Sequence, residues 1–342
     1  ELEFLPDDEV IAERAAAVAG LFRPEISVVM AYAKNTLYEA LLESDLPEQP
    51  YLAGVLRDYF PTPMRKKYDG AIKAHRLRRE IVATAVSNGM VNRVGATFVS
   101  QISQEGGFTE AAIARAYSVV VEAFALEDLW AGVEALDNKV PAELQTTMLL
   151  EAADLAYNMT LWFLNNEAQP IAIGPTIKAY RPGIAELEAG LDAMLSDLEA
   201  DAYDKRLDSY TAGGAPTEIA KRVAGLAAMR SACHIVFAAN AAKRPVREVG
   251  EVFFGVGALL GLDWLRWAAE QTTSDTHWQR MAVAAIVDDF YGQQRALVTR
   301  ALRTGTPTSA KKAIEAWAEE NRTEVERTST MISEFRATGA VD

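Results

Sequence analysis

The stretch Pro141-Ala-Glu-Leu-Gln-Thr-Thr-Met-Leu-Leu-Glu-Ala-Ala-Asp-Leu-Ala-Tyr-Asn-Met-Thr-Leu-Trp-Phe-Leu-Asn165 decides the fold class. Its proline sits where a helix begins and needs no N–H partner. Leu144, Met148, Leu155, Met159 and Trp162 recur at helical spacing and gather largely on one side. The spacing predicts a helix from Pro141 through Asn165.

The same period recurs on either side. Upstream, Pro6 with Asp7, Asp8 and Glu9 opens a helix that Gly20 would close. Pro24 opens another toward Asp45, with Ile26, Met30, Ala33, Leu37 and Leu41 as one buried stripe. Tyr51–Phe60 is a short segment cut off by Pro61 and Pro63, after which a helical pattern runs from Met64 to about Asn88 without a breaker. Thr109 reads as the N-cap of a helix through Phe124. Downstream, Ile184, Leu187, Leu191, Met194, Leu195 and Leu198 form a stripe, and Thr211–Pro216 is a linker before an N-cap at Thr217. A final helix after Pro307 and Ser309 places Ile314, Trp317, Val325, Ile332 and Phe335 on one seam, with Asn321 and Thr328 as polar steps, able to pack on the body or on a partner. Strict two-residue alternation is nearly absent. The fold class is therefore all-α, a multi-helix bundle. Three prolines between Glu167 and Gly183 are too many for a helix interior and predict a boundary near residue 175, giving lobes 1–175 and 176–342.

Composition agrees. Of 342 residues, 59 are Ala and 31 Leu, the apolar types that lose least freedom in a helix. With 34 Lys and Arg against 48 Asp and Glu, the net charge of −14 repels phosphate backbones and anionic lipid surfaces, so nucleic acid and membrane are excluded as expected partners. The longest uncharged apolar run, Val252–Leu262, falls short of the ~20 residues a spanning helix needs. Cys233 is the lone cysteine, so no internal disulfide forms and a cytoplasmic compartment is expected. The N-terminus, Glu-Leu-Glu-Phe-Leu-Pro, lacks an initiator Met and the regions of a signal peptide, and reads as the start of a fragment.

Sites of chemistry are sparse. Gly255-Val-Gly257-Ala-Leu-Leu-Gly261 holds the first two glycines of a dinucleotide loop but not its spacing, and close helix packing is the favoured reading over cofactor binding. Asp288-Asp289-Phe-Tyr-Gly292 lacks the further acid of a magnesium-binding helix, so a solvated face or a pairing with Arg295 is favoured. His75, His234 and His277 have no ligand-spaced companions, and Cys233 and His234, being adjacent, face different ways. No catalytic, cofactor-binding or metal residue is assigned. Against the acidic whole, Arg65, Lys66, Lys67, Lys73, Arg76, Arg78 and Arg79 cluster with only Asp69 opposing them. They read either as a helix paired with acids, including Arg76 with Glu80 at i,i+4, or as a docking face for an acidic surface or anion. Asn88, Asn92 and Arg93 stand in the apolar run Val86–Val99 and predict a hydrogen-bonded hub between helices.

Ala74-His-Arg-Leu-Arg-Arg-Glu-Ile81 followed by Asn88-Gly-Met-Val-Asn-Arg-Val-Gly95 resembles the C-terminal region of the large bacterial NAD-specific glutamate dehydrogenases. Arg23–Lys34, Asp45-Leu-Pro47, Tyr59-Phe-Pro61, Leu136–Pro141 and Gly261–Arg266 extend the resemblance over most of residues 1–302. It implies a polypeptide several times longer, homo-oligomeric, with a central catalytic core that binds NAD and oxidises L-glutamate to 2-oxoglutarate and ammonia in glutamate catabolism. The family's catalytic lysines and aspartate and its NAD-binding glycines belong to that core, and none of those motifs occurs here. The expectation is a C-terminal helical domain that packs on the catalytic core of its own polypeptide, without cofactor or catalysis of its own. The alternatives are an independent helical interaction module and, ranked last, a free-standing all-α enzyme with an acid-lined pocket.

Overall fold

A computed structural model describes residues 5–272, 276–303 and 309–339. Glu1–Phe4 and Pro307 lie outside the described residues, as does the side chain of His277. Among the described residues every regular element is helical, with nineteen α-helices and no strand. The decisive stretch forms helix Ala142–Asn166, and Met148, Leu155, Met159 and Trp162 are buried along it.

The chain divides into two compact units, residues 1–121 with 156–177, and residues 122–155 with 178–342. In the first, helix Arg23–Glu43 packs on helix Arg78–Val94, burying Leu37 and Leu41 of the former and Val82, Ala83, Val86, Met90 and Val91 of the latter. A guanidinium ties distant parts of this unit together. Arg115 is only 5% exposed and donates to Asp45 Oδ1 at 2.6 Å and to the Ile171 carbonyl at 3.3 Å. That hydrogen bond holds the Asp45 carboxyl below the usual carboxylate range, its charge offsetting the burial of Arg115. Phe98 meets Tyr117 and Tyr157 edge-on nearby, each with ring centroids at 5.9 Å.

In the second unit, helix Val246–Leu260 buries Val249, Val252, Phe253, Phe254, Val256 and Leu260 and keeps Arg247, Glu248 and Glu251 on its other side. It is packed by helices Ala232–Ala242, Leu262–Gln271, His277–Ala301, Ala310–Glu320 and Arg322–Ala337. Its glycines are sites of close approach. A Cβ on Gly257 would lie 2.6 Å from Nε2 of Gln294, a fully buried side chain. Gly261 ends the helix at φ +77°, the left-handed conformation that suits a residue without a Cβ. The close-packing reading of this glycine run holds.

Several expected elements are divided differently. The pattern from Met64 to Asn88 is three helices, Thr62–Lys67, Asp69–Lys73 and Arg78–Val94. The last break is a turn in which the Leu77 amide donates to Nδ1 of His75 at 3.2 Å. The first helix runs Asp8–Ala16 and is closed by Val18 at φ 54°, not by Gly20. Helix Ile173–Gly190 forms despite its prolines: Pro175 lies in the first turn, where its missing N–H is no loss, and Pro182 forfeits one interior hydrogen bond. The final seam is two helices, Ala310–Glu320 and Arg322–Ala337, because the Asn321 side chain donates to the Trp317 carbonyl at 2.8 Å and caps the first. The last helix packs on the body, burying Ile332 and setting Phe335 edge-on to Trp264 at 5.7 Å.

These glycine environments separate two substitutions. Gly257→Ala meets Gln294 and lowers stability by about 1–3 kcal/mol. Gly292→Ala, on a helix with open space around it, raises stability by up to about 1 kcal/mol. Denaturant unfolding of the two variants checks both signs.

Candidate functional site

The basic stretch is largely consumed within its own unit. Arg65 pairs with Asp58 at 2.8 Å and donates to the carbonyls of Asp58 and Phe60. Lys73 pairs with Asp69 at 2.6 Å, and Lys67 lies over the Tyr68 ring at 5.2 Å. Arg79 reaches Glu48 at 2.7 Å and donates to the carbonyls of Leu42 and Ser44, closing the C-terminus of helix Arg23–Glu43, while Arg78 approaches Glu48 at 3.7 Å. Arg76 lies in the turn before helix Arg78–Val94, so the i,i+4 geometry with Glu80 does not exist. Lys66, Lys67 and Arg76 remain exposed, beside exposed Met64, Tyr68 and Leu77. Of the expected polar hub, Asn92 is exposed while Asn88 and Arg93 are half-buried on the same helix.

The densest buried polar cluster lies in the second unit. Ser196 caps helix Asp197–Ala212 in a capping box with Glu199. Its hydroxyl lies 2.9 Å from Glu199 Oε2 and 2.8 Å from Oδ2 of Asp263, which stands in the first turn of helix Leu262–Gln271. One turn on, Arg266 donates to Glu199 Oε1 at 3.0 Å and to Oε1 of Gln294. Gln294 in turn donates from Nε2 to the Phe253 carbonyl at 2.7 Å. The Arg266 guanidinium also lies over the Tyr291 ring at 4.8 Å, and the other face of that cluster is His234, stacked on Tyr291 with centroids at 5.5 Å.

Burial pushes the Glu199 carboxyl up, opposed by the charge of Arg266 and the hydroxyl of Ser196. Burial, with Arg295 and Arg266 nearby, pushes the His234 imidazole down to about 3, so it stays neutral. Ser196, Glu199, Arg266 and Gln294 are joined to one another and to the Phe253 carbonyl by hydrogen bonds. The arrangement locks helices and presents no activated nucleophile or free base. Spacing offered a trace of it: Ser196 and Glu199 at i,i+3, and Asp263 and Arg266 inside an apolar run.

An open cleft of about 500 Å³ in the same unit is lined by Glu151, Asp154, Arg206, Arg230 and Glu270 among others. Its charges also face each other: Arg206 and the Tyr210 hydroxyl bind Glu151, and Arg230 binds Asp154 and, at 2.8 Å, Glu270. Asp288 and Asp289 are exposed, and Arg295 lies over the Phe237 ring at 4.8 Å. Among the described residues no three His, Cys, Asp or Glu side chains gather as a metal site, and no single helix is long and apolar enough to cross a membrane.

The family described as "Glutamate dehydrogenase, C-terminal" matches residues 18–342. The chain belongs to this family. It is 33% identical over its whole length to the NAD-specific glutamate dehydrogenase of Pseudomonas aeruginosa, covering 21% of that protein. It is 33% identical to the Halomonas elongata enzyme of that name over 93% of the chain and 20% of the relative. The Mycobacterium tuberculosis enzyme is 31% identical over the whole chain and 21% of its own length. The chain thus spans about a fifth of the curated relatives it matches. The glycines that invited a nicotinamide cofactor do not fit one: Gly255 and Gly257 lie inside a packed helix, with Gln294 occupying the space above Gly257.

Two outcomes follow from the buried cluster of this glutamate dehydrogenase C-terminal region. Arg266→Ala strands Glu199 and Gln294 and costs about 3–5 kcal/mol, whereas Arg78→Ala, at a half-exposed pair, costs under about 1 kcal/mol. Because His234 has a lower affinity for protons folded than unfolded, stability is full above pH 6.5 and falls as pH drops toward 3, by about 1.4 kcal/mol per unit. His234→Gln removes that slope. Equal pH dependence of unfolding for the wild type and H234Q between pH 6.5 and 4.5 would refute it.

Proposed function

We propose that this chain is the C-terminal helical domain of an NAD-specific glutamate dehydrogenase, packing on the catalytic core of its own polypeptide and supporting the core's geometry, assembly or regulation. The observation that carries this reading is one of extent. The whole chain aligns with relatives bearing that name, yet it accounts for only a fifth of them. The inward commitment of its polar groups supports a supporting role: the Arg266 cluster and the Arg206 and Arg230 pairs use their charges to hold helices.

In this reading the remainder of the polypeptide holds NAD and carries out oxidative deamination of L-glutamate to 2-oxoglutarate and ammonia, in the cytoplasm, as part of glutamate catabolism and as a homo-oligomer. The domain has no catalysis of its own. Its docking face includes Lys66, Lys67 and Arg76, exposed cations of the basic stretch placed to meet an acidic surface. In this reading Asn88, Asn92 and Arg93 form a polar hub on helix Arg78–Val94.

Glutamate-dependent NADH formation, followed by absorbance, tests the proposal. The purified 342-residue chain shows none, and measurable turnover by it would overturn the assignment of chemistry elsewhere. In the full-length enzyme, the triple substitution Lys66→Glu, Lys67→Glu and Arg76→Glu weakens retention of the domain on the core, read as faster limited proteolysis at their junction, while the isolated chain keeps its thermal midpoint.

A further inference from the structure

The stripe Ile26, Met30, Ala33, Leu37 and Leu41 is covered at one end only. Leu37 and Leu41 are buried where helix Arg78–Val94 packs on helix Arg23–Glu43, but Ile26 on the same stripe is 44% exposed. Phe22, one turn before it, is 65% exposed. Helix Asp8–Ala16 buries no residue at all, and its Ile11 and the following Val18 are also open.

These side chains are held in place. Arg14 of the first helix makes two hydrogen bonds to Glu25, at 2.8 and 3.1 Å, and its guanidinium lies over the Phe22 ring at 4.6 Å. Glu25 in turn accepts from the Phe22 amide at 2.6 Å. A polar staple therefore fixes the angle between the two helices and leaves Ile11, Phe22 and Ile26 uncovered, with exposed Asp7, Asp8, Glu9 and Glu13 beside them. An ordered apolar face with an acidic margin, continuous with a buried helix interface, is the form of half an interface.

We infer that this face, centred on Phe22 and Ile26, is the seat of a segment of the same longer polypeptide lying outside residues 1–342, presenting an apolar groove with Lys or Arg at its edge. The inference rests on the proposed function above. The occupant follows from continuity and length: the stripe is the outward extension of an interface already formed, and the matching region is the C-terminal part of relatives of which four-fifths lies elsewhere. An acidic margin selects a basic edge on the occupant.

The test uses the full-length polypeptide with a benzophenone photo-crosslinker at position 22, and separately at position 77 on the basic face. Mapping the adducts by mass spectrometry gives, from position 22, peptides of the same polypeptide outside residues 1–342. Adducts from position 22 only to residues 1–342, of the same or a second copy, or none, overturn the inference. If position 77 still reaches the remainder of the polypeptide, the proposed function survives that failure; if neither does, both fall. As an independent arm, Ile26→Asp in the full-length protein raises amide hydrogen exchange across residues 23–34 by about tenfold or more. Unchanged exchange there counts against the inference, since Ile26 is 44% exposed in the chain alone.

Discussion

The second unit depends on the placement of one guanidinium. Arg266 is 5% exposed, and a charge so placed is tolerable only with its hydrogen bonds made. Glu199 supplies the counter-charge from helix Asp197–Ala212, Gln294 supplies a neutral acceptor from helix His277–Ala301, and Tyr291 supplies an aromatic face. Gln294 reaches its position only because helix Val246–Leu260 carries glycine where its amide lies, and it then binds the Phe253 carbonyl of that helix. Four helices are thereby brought into mutual register by one charge. The neutral state of His234 comes first from its burial, with Arg295 and then that guanidinium adding to it.

The same constraint recurs in the way the chain spends its carboxylates and guanidiniums. A catalytic carboxylate or imidazole needs an accessible face and a reason to exchange a proton near neutral pH. Here Glu199 is locked between Ser196 and Arg266, and Glu151, Asp154 and Glu270 are matched with arginines across their cleft. The first unit repeats the logic with Arg115, whose partners Asp45 and Ile171 lie far from it in sequence.

What faces outward differs in character from what faces inward. The exposed cations Lys66, Lys67 and Arg76 and the open apolar side chains Phe22 and Ile26 lie within the first unit, while its internal charges are spent on carbonyls and carboxylates. Arg79 illustrates how position decides role. Three residues from Arg76, it is turned to the end of helix Arg23–Glu43 and serves as a cap, whereas Arg76, in the preceding turn, has no carbonyl to serve.

The sequence by itself determined the all-α class, the run of helix Ala142–Asn166 and the packing role of Gly255 and Gly257, because apolar spacing, caps and breakers act within a few residues of one another. It also carried the family resemblance that the match over residues 18–342 upholds. The division of Met64–Asn88 into three helices escaped it, since no proline or glycine marks the turn at His75. The joining of Ser196 to Asp263 and of Glu199 to Arg266, each 67 positions apart, escaped it as well. Only the tertiary structure decided which arginines are buried and paired and which stay exposed, because that depends on which carbonyls and carboxylates the packed helices bring within reach, a property that no local spacing records.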